Sequence, residues 1–175
     1  MNASFFDRLL NASPRSAGKW FMRRVGVGAS PVISAQPAWE RIAAGPLAGR
    51  EILIDRRSNG AWEDMLAGRF DAEIYDVVAR ALPAQGGIIW DVGAHIGFHT
   101  LNFSELVGQS GRVVGFEPNP SNRQRLQRNL DQNPDLAARI EILPCGLSDR
   151  DGDAQFAISH DVDSGASSMP MRWHG

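Results

Sequence analysis

The sequence predicts an α/β fold built around a parallel sheet, and three observations lead there. From Gly86 onward, short apolar strand-like runs alternate with helix-like ones. The run "GIIWDV" ends on an acid, Asp91, and passes into a turn that holds Gly93 and Gly97. A second run, "GRVVGFE", also ends on an acid, Glu117, twenty residues after Gly97. Alternating β and α units of this length favour parallel strands joined by crossovers.

Three segments follow from composition and patterning. Residues 1–44 read as a loosely structured leader, with glycine, serine and proline scattered through "SPRSAGKW" and "GVGASPVISAQP". Residues 45–85 read as a lead-in strand and helix. In "REILIDR", Ile52 and Ile54 sit at strand spacing. In "FDAEIYDVVARAL", Ile74, Val77, Val78, Ala81 and Leu82 recur at helical spacing, and Pro83 ends the run. Residues 86–175 carry the main domain. "GIIWDV" reads as a buried strand, followed by a helix from Phe98 to about Val107, and then by the strand "GRVVGFE". The next helix opens at "NPSNRQRLQRNL", where Asn119 caps and Pro120 suits the first turn. "RIEILPCGL" is the third strand, and "DAQFAIS" a short fourth after the tight turn "DRDG".

The chain has 175 residues, 43% of them hydrophobic, which suits one domain with a real core. Net charge is −2, so no overall field draws it to nucleic acid or an anionic membrane. Residues 1–57 hold nine Lys/Arg against four acids, which reads as a solvated basic leader. The single cysteine, Cys145, excludes an internal disulfide. It reads as a small core residue and fits a reducing cytoplasm. No run reaches the ~20 apolar residues of a membrane span. Phe5, Phe6, Leu9 and Leu10 form one short amphipathic patch, but Asp7 and Arg8 interrupt it and make a poor signal peptide.

Open parallel sheets bind ligands beyond the carboxyl ends of their strands, which is where Gly93, Gly97, Asp91 and Glu117 fall. Glycine lets backbone approach a ligand closely, and the following helix points its amides and partial positive charge at the same spot. An acid at the second strand's end suits the two hydroxyls of a ribose. A dinucleotide site wants G-x-G-x-x-G to seat a diphosphate, but this turn runs Asp91-Val92-Gly93-Ala94-His95-Ile96-Gly97 with no Gly-x-Gly pair. Asp91 would also repel a diphosphate. A ligand with a ribose, an adenine and an ammonium group fits better, and S-adenosylmethionine is such a ligand. An NAD-dependent oxidoreductase and a non-catalytic nucleoside- or partner-binding remnant are the competing readings.

The stretches "WDVGAHIGFHT", "GRVVGFEPNP", "LQRNL" and "EILPCGLSDRDGDAQF" resemble the FkbM-type S-adenosylmethionine-dependent methyltransferases, and "GPLAG", "WEDMLAG" and "FDAEIY" are similar to their lead-in. The resemblance spans roughly residues 45 to 168. It implies a Rossmann-like class I methyltransferase fold. It further implies methyl transfer to an oxygen of a sugar or secondary-metabolite hydroxyl, with no metal. By the same resemblance Asp91, Gly93, Ala94 and Gly97 form the first cofactor motif, and Glu117 holds the ribose with Pro118 beside the adenine. Leu147 and Asp149 then lie near the adenine ring. His95 departs from the asparagine usual at its place. His95 and His99, four apart, are weak candidates for a general base; no third His or Cys stands at ligand spacing, so no metal is expected. Glu73 is a candidate for the cofactor's amino end, and "DSGASSM" for the pocket rim. The family's usual next strand signature is missing before "MRWHG", so the resemblance predicts a fold truncated after the third strand and its hairpin. It also predicts an exposed apolar edge at "IIWDV", to be covered by the rest of a longer protein of which this chain is a fragment or, alternatively, by a second chain.

Overall fold

The computed structural model describes residues 37–56, 61–82 and 86–149. The expected strand "DAQFAIS", the segment "DSGASSM" and the Phe5–Leu10 patch lie outside the described residues.

Two strands open the described part. β1 (Ala38–Arg41) pairs antiparallel with β2 (Glu51–Ile54), with Ala38 opposite Ile54 and Arg41 opposite Glu51. β1 lies inside the stretch expected to be a loose leader. Its residues are mostly polar or exposed, so hydropathy alone carried no sign of it. The link between the strands folds inward on Ile42 and Leu47, both almost fully buried with Ile52 and Ile54. Two short helices follow, α1 (Trp62–Leu66) and α2 (Ala72–Ala81). α1 was not foreseen; at five residues it is too short to show helical periodicity.

The main sheet is parallel and its strands lie in chain order. β3 (Ile88–Val92) pairs with β4 (Arg112–Phe116), which pairs with β5 (Ile140–Leu143). Val92 stands opposite Phe116, and Phe116 opposite Leu143, so the three carboxyl ends finish level. α3 (Phe98–Val107) links β3 to β4. α4 (Pro120–Gln132) and the single-turn α5 (Pro134–Ala137) link β4 to β5. The α/β class with a parallel sheet is as the sequence predicts. α3 is buried on several sides through Phe98, Thr100, Leu101, Asn102, Ser104 and Val107. α4 is capped as expected, Asn119 Oδ1 accepting from Ser121 N at 2.9 Å with Pro120 in the first turn.

The core joins the hairpin, the helices and the first turn after β3. Ile42, Leu47, Ile52 and Ile54 pack with Tyr75, Ala94, Ile96, Phe98, Leu101, Leu126, Leu130 and Leu136. A buried amide stitches these parts together. Asn129 Oδ1 accepts from Leu53 N at 2.7 Å, and its Nδ2 donates to Ile96 O at 2.8 Å. One turn on, Asn133 Nδ2 donates to Glu51 O at 3.0 Å. At the surface Arg50 grips Asp135 through two 2.7 Å contacts and reaches Glu105 at 3.2 Å.

Three expectations need correction. The apolar stripe of α2 does not face the core: Ile74 and Val77 are 45% and 52% exposed, whereas Tyr75 is buried. Tyr75 turns the helix because its hydroxyl finds a partner inside and its ring packs edge-on to Phe103 at 5.9 Å. β3 is not a fully buried strand. Among the described residues it pairs with β4 alone, and Ile88, Trp90 and Val92 are 69%, 64% and 60% exposed on one face while Asp91 is buried on the other. Cys145 is exposed rather than in the core, because β5 stops at Leu143 and the chain leaves the sheet before reaching it. Among the described residues no helix is long and apolar enough to cross a membrane.

Asn129→Ala should strip partners from a strand amide and a loop carbonyl at once, both buried. We expect a loss of roughly 3 kcal/mol in urea unfolding. A loss within ~0.5 kcal/mol would show that the stitch is not needed.

Candidate functional site

The turn after β3 is shaped by two left-handed glycines and by the end of β4. Gly93 has φ +90°, and Gly97, which caps α3, has φ +87°. Both conformations suit glycine. Gly93 N and Ala94 N donate to Phe116 O at 2.9 and 3.1 Å, so the turn folds back over β4. Beyond Gly93 the space is open, since a Cβ built there would meet nothing within 4 Å. At Gly97 a Cβ would stand 3.1 Å from Leu126 Cγ, so that glycine serves the packing of α4.

Glu117, buried at the end of β4, is the hub. Its Oε2 accepts from His95 N at 2.8 Å, and its Oε1 from Asn119 N at 2.8 Å and Asn122 Nδ2 at 3.3 Å. Glu117 N in turn donates to Leu143 O at 3.1 Å. Arg123 closes the turn by donating to the carbonyls of Glu117 and Pro118 at 2.9 and 2.6 Å. Three donors occupy a carboxylate with about four acceptor positions, so room remains for one more strong donor.

Asp91, 8% exposed at the end of β3, accepts from the Thr100 hydroxyl through Oδ2. Among the described residues no donor reaches its other oxygen. Burial pushes the Asp91 carboxyl above its ordinary range and the charge of Glu117 adds to this, against the Thr100 hydrogen bond and His99. Asp91 and Glu117 stand at one turn, with Arg123 held against the Glu117 carbonyl and Arg125 near His95.

The two histidines do not form a pair. His95 precedes α3 in a left-handed conformation, φ +50°. Burial, and then the charge of Arg125, lower its pKa against the pull of Glu117. His99, in the first turn of α3, sits among Phe70, Phe98 and Phe103. Its Nδ1 lies 2.7 Å from the Tyr75 hydroxyl and its Nε2 lies 3.4 Å from Asp71. Burial drives the Tyr75 phenol far above its ordinary range, with the charges of Asp71 and Asp91 adding to this, so it stays protonated. Tyr75 Oη and His99 Nδ1 share a hydrogen bond, and His99 Nε2 faces the Asp71 carboxylate.

The structure thus gathers Asp91, Gly93, Ala94, His95, Gly97, Glu117 and Pro118 at the level carboxyl ends of β3 and β4. Leu147 and Asp149 lie exposed in the chain leaving β5, which starts beside Glu117. Glu73 is on the exposed side of α2. Sequence reading passed over Thr100 and Asp71. The spacing of Asp71, Tyr75 and Val78 was the available signal, because it marks one helix face around the aromatic residue.

The open space at Gly93 and the remaining acceptor capacity of Asp91 and Glu117 would fit a ligand with hydroxyl groups and a cationic tail. Residues 91–171 match the family described as the methyltransferase FkbM domain, which bears out the resemblance read from the sequence. The chain is 35% identical over 72 residues to the hexuronic acid methyltransferase AglP of Haloferax volcanii, covering 41% of this chain and 27% of that protein. It is 34% identical over 87 residues to the AMB antimetabolite synthetase AmbE of Pseudomonas aeruginosa, covering 50% of this chain and 4% of that one. It therefore spans about a quarter or less of the length of these relatives. Among solved structures, the C-terminal domain of a precorrin-6Y C5,15-methyltransferase from Rhodobacter capsulatus is similar at TM-score 0.35 and 23% identity, over 45% of this chain and 40% of that one.

The lowered pKa of His95 has a pH consequence. Its folded-state pKa lies below the ordinary 6.5, so the native state loses stability as pH falls through 6.5 toward that lower value. Asparagine accepts a left-handed backbone readily and does not titrate. His95→Asn should therefore keep more of its Tm than the native chain between pH 7 and 5, as calorimetry would read. Equal acid sensitivity would remove His95 as a cause.

Proposed function

We propose that this chain, whose residues 91–171 carry a methyltransferase FkbM domain, binds S-adenosylmethionine at the carboxyl ends of β3 and β4 and serves methyl transfer to a hydroxyl oxygen. The observation that carries the reading is the open left-handed Gly93 set between two buried acids, Asp91 and Glu117. A diphosphate would meet repulsion from the Asp91 carboxylate. A ligand that is cationic at one end and hydroxylated in the middle would be favoured at each acid.

The chain's own residues divide the work of binding. Gly93 leaves room for the ligand to pass against bare backbone. Asp91 offers its free oxygen to an ammonium group. Glu117 offers its remaining acceptor position to a ribose hydroxyl, while His95 N, Asn119 N and Asn122 hold the carboxylate still. Pro118, Leu147 and Asp149 are assigned to the adenine side. When bound, the cofactor supplies an electrophilic methyl group on a sulfonium. The protein's part is to align the acceptor oxygen with that methyl and to exclude water. The acceptor we favour is a carbohydrate or a secondary-metabolite hydroxyl, a reading supported by the name of the hexuronic acid methyltransferase relative. A cytoplasmic setting, supplied with this cofactor, belongs to the same proposal.

Titration of S-adenosylmethionine and S-adenosylhomocysteine into the folded chain by calorimetry tests the reading, with NADH as the contrast. Saturable binding of the first two near one per chain, and none of NADH, is the expected result. Gly93→Val should weaken that binding by more than about tenfold. The side chain fills the open space, and its backbone is strained at φ +90°. Helix content by circular dichroism should be kept. Unchanged affinity in that variant would mean that no ligand passes Gly93.

A further inference from the structure

Two polar side chains at the turn after β3, those of Arg125 and His95, take no part in the binding roles above. Arg125 lies one turn beyond Asn122 and one turn before Asn129, so the three share a face of α4. Asn122 Nδ2 donates to Glu117 Oε1 at 3.3 Å, and Glu117 Oε2 accepts from His95 N at 2.8 Å. Asn129 Nδ2 donates to Ile96 O at 2.8 Å. The helix neighbours of Arg125 on both sides therefore reach the turn that holds His95. The guanidinium is close enough for its charge to act on the imidazole.

Arg125 is left without a partner in this packed region. Its Nε is buried and meets no acceptor. Among the described residues no hydrogen bond or ion pair holds the rest of its guanidinium. The hydrogen bond of His95 runs from its backbone N, so its ring is uncommitted as well. Glu117 is turned to His95 N, Asn119 N and Asn122, and Arg123 is occupied by two carbonyls. Both side chains are half-buried, so their outer atoms remain within reach of a ligand.

A buried donor without an acceptor is costly, and a ligand oxygen would remove that cost. The guanidinium presents N–H groups in a planar fork that matches two oxygens of a carboxylate or a phosphate. The imidazole can add a donor from a second direction. We propose that Arg125, with the His95 ring, binds an oxyanion carried by the methyl acceptor, either a carboxylate or a phosphate. The acceptor is then an acidic molecule rather than a neutral one. This rests on the methyl-transfer reading of the site and narrows its acceptor class.

The test uses the full chain with S-adenosylhomocysteine and three sugars that differ at one position: glucuronate, glucose 6-phosphate and glucose. The His95 ring, identified in proton NMR by its loss in His95→Asn, reports on Arg125. An oxyanion on the guanidinium offsets the charge that depresses the imidazole, so His95 should titrate at higher pH with an acidic sugar and unchanged with glucose. Which acidic sugar acts distinguishes carboxylate from phosphate. By calorimetry, Arg125→Gln should bind that sugar about tenfold more weakly, and Arg125→Lys, which keeps the charge without the fork, should lose less. S-adenosylhomocysteine should change by less than about twofold in both variants. A comparable loss of S-adenosylhomocysteine in Arg125→Gln would assign the cation to the cofactor and overturn the proposal. Inorganic phosphate acting as strongly as either sugar would make this a free-anion site and overturn the acceptor assignment. Native binding of S-adenosylhomocysteine with no response to either acidic sugar would overturn this inference alone. Failure of the native chain to bind S-adenosylhomocysteine would overturn the cofactor reading, and the acceptor assignment with it.

Discussion

The carboxylate of Glu117 is the constraint on which the shape of the site depends. It is buried at the end of β4 and takes backbone hydrogens from two loops that are distant in sequence, at His95 and at Asn119. A charged acceptor with several donors is worth more than neutral pairs, and losing it would strand those amides in a poorly solvated place. The turn after β3 therefore cannot move without the turn after β4. Beside it, Gly93 N and Ala94 N are held on the Phe116 carbonyl, so the turn lies against the end of β4. The same acid is proposed to meet the ligand, so architecture and recognition rest on one side chain.

A second layer of polar ties keeps the hairpin, β3's turn and α4 in register. Asn129 on α4 and Asn133 at its end reach Leu53, Ile96 and Glu51. Leu126 lies on α4 too, against Gly97. A small residue at Gly97 therefore lets α4 approach the turn, and the asparagines then hold it there. The aliphatic core supplies most of the driving force, which is non-directional; the amides specify which surfaces meet.

Electrostatics divides the molecule into surface and site. Arg50 with Asp135 and Glu105 is a partly exposed cluster, and hydrogen bonding to Arg50 lowers the Asp135 carboxyl. Such pairs are screened and contribute little. Around Asp91 the balance is reversed: burial raises the carboxyl, and nearby Glu117 raises it further. A cation entering there relieves both effects. That preference for positive charge is the physical content of the proposed cofactor choice.

Much of this was legible in the sequence because it is local. Strand-like runs, Asn119 followed by Pro120, and two glycines after a strand-end acid each have a reading within a few residues of themselves. The order of β and α units then implied a parallel sheet with Asp91 and Glu117 at one end. Other features depended on partners far away in the chain. Periodicity put Ile74 and Val77 inside, but Tyr75 found His99, 24 residues on, and turned α2 over. Cys145 read as core because its neighbours are apolar, but pairing with β4 ends at Leu143. The sequence by itself determined the elements, their order and the end of the sheet where the acids lie, since propensity, capping and hydropathy act over one or two turns. Only the tertiary structure decided which face of α2 is inward, which amides Glu117 holds and where Asp71 stands, because those depend on contacts between residues that sequence distance does not relate.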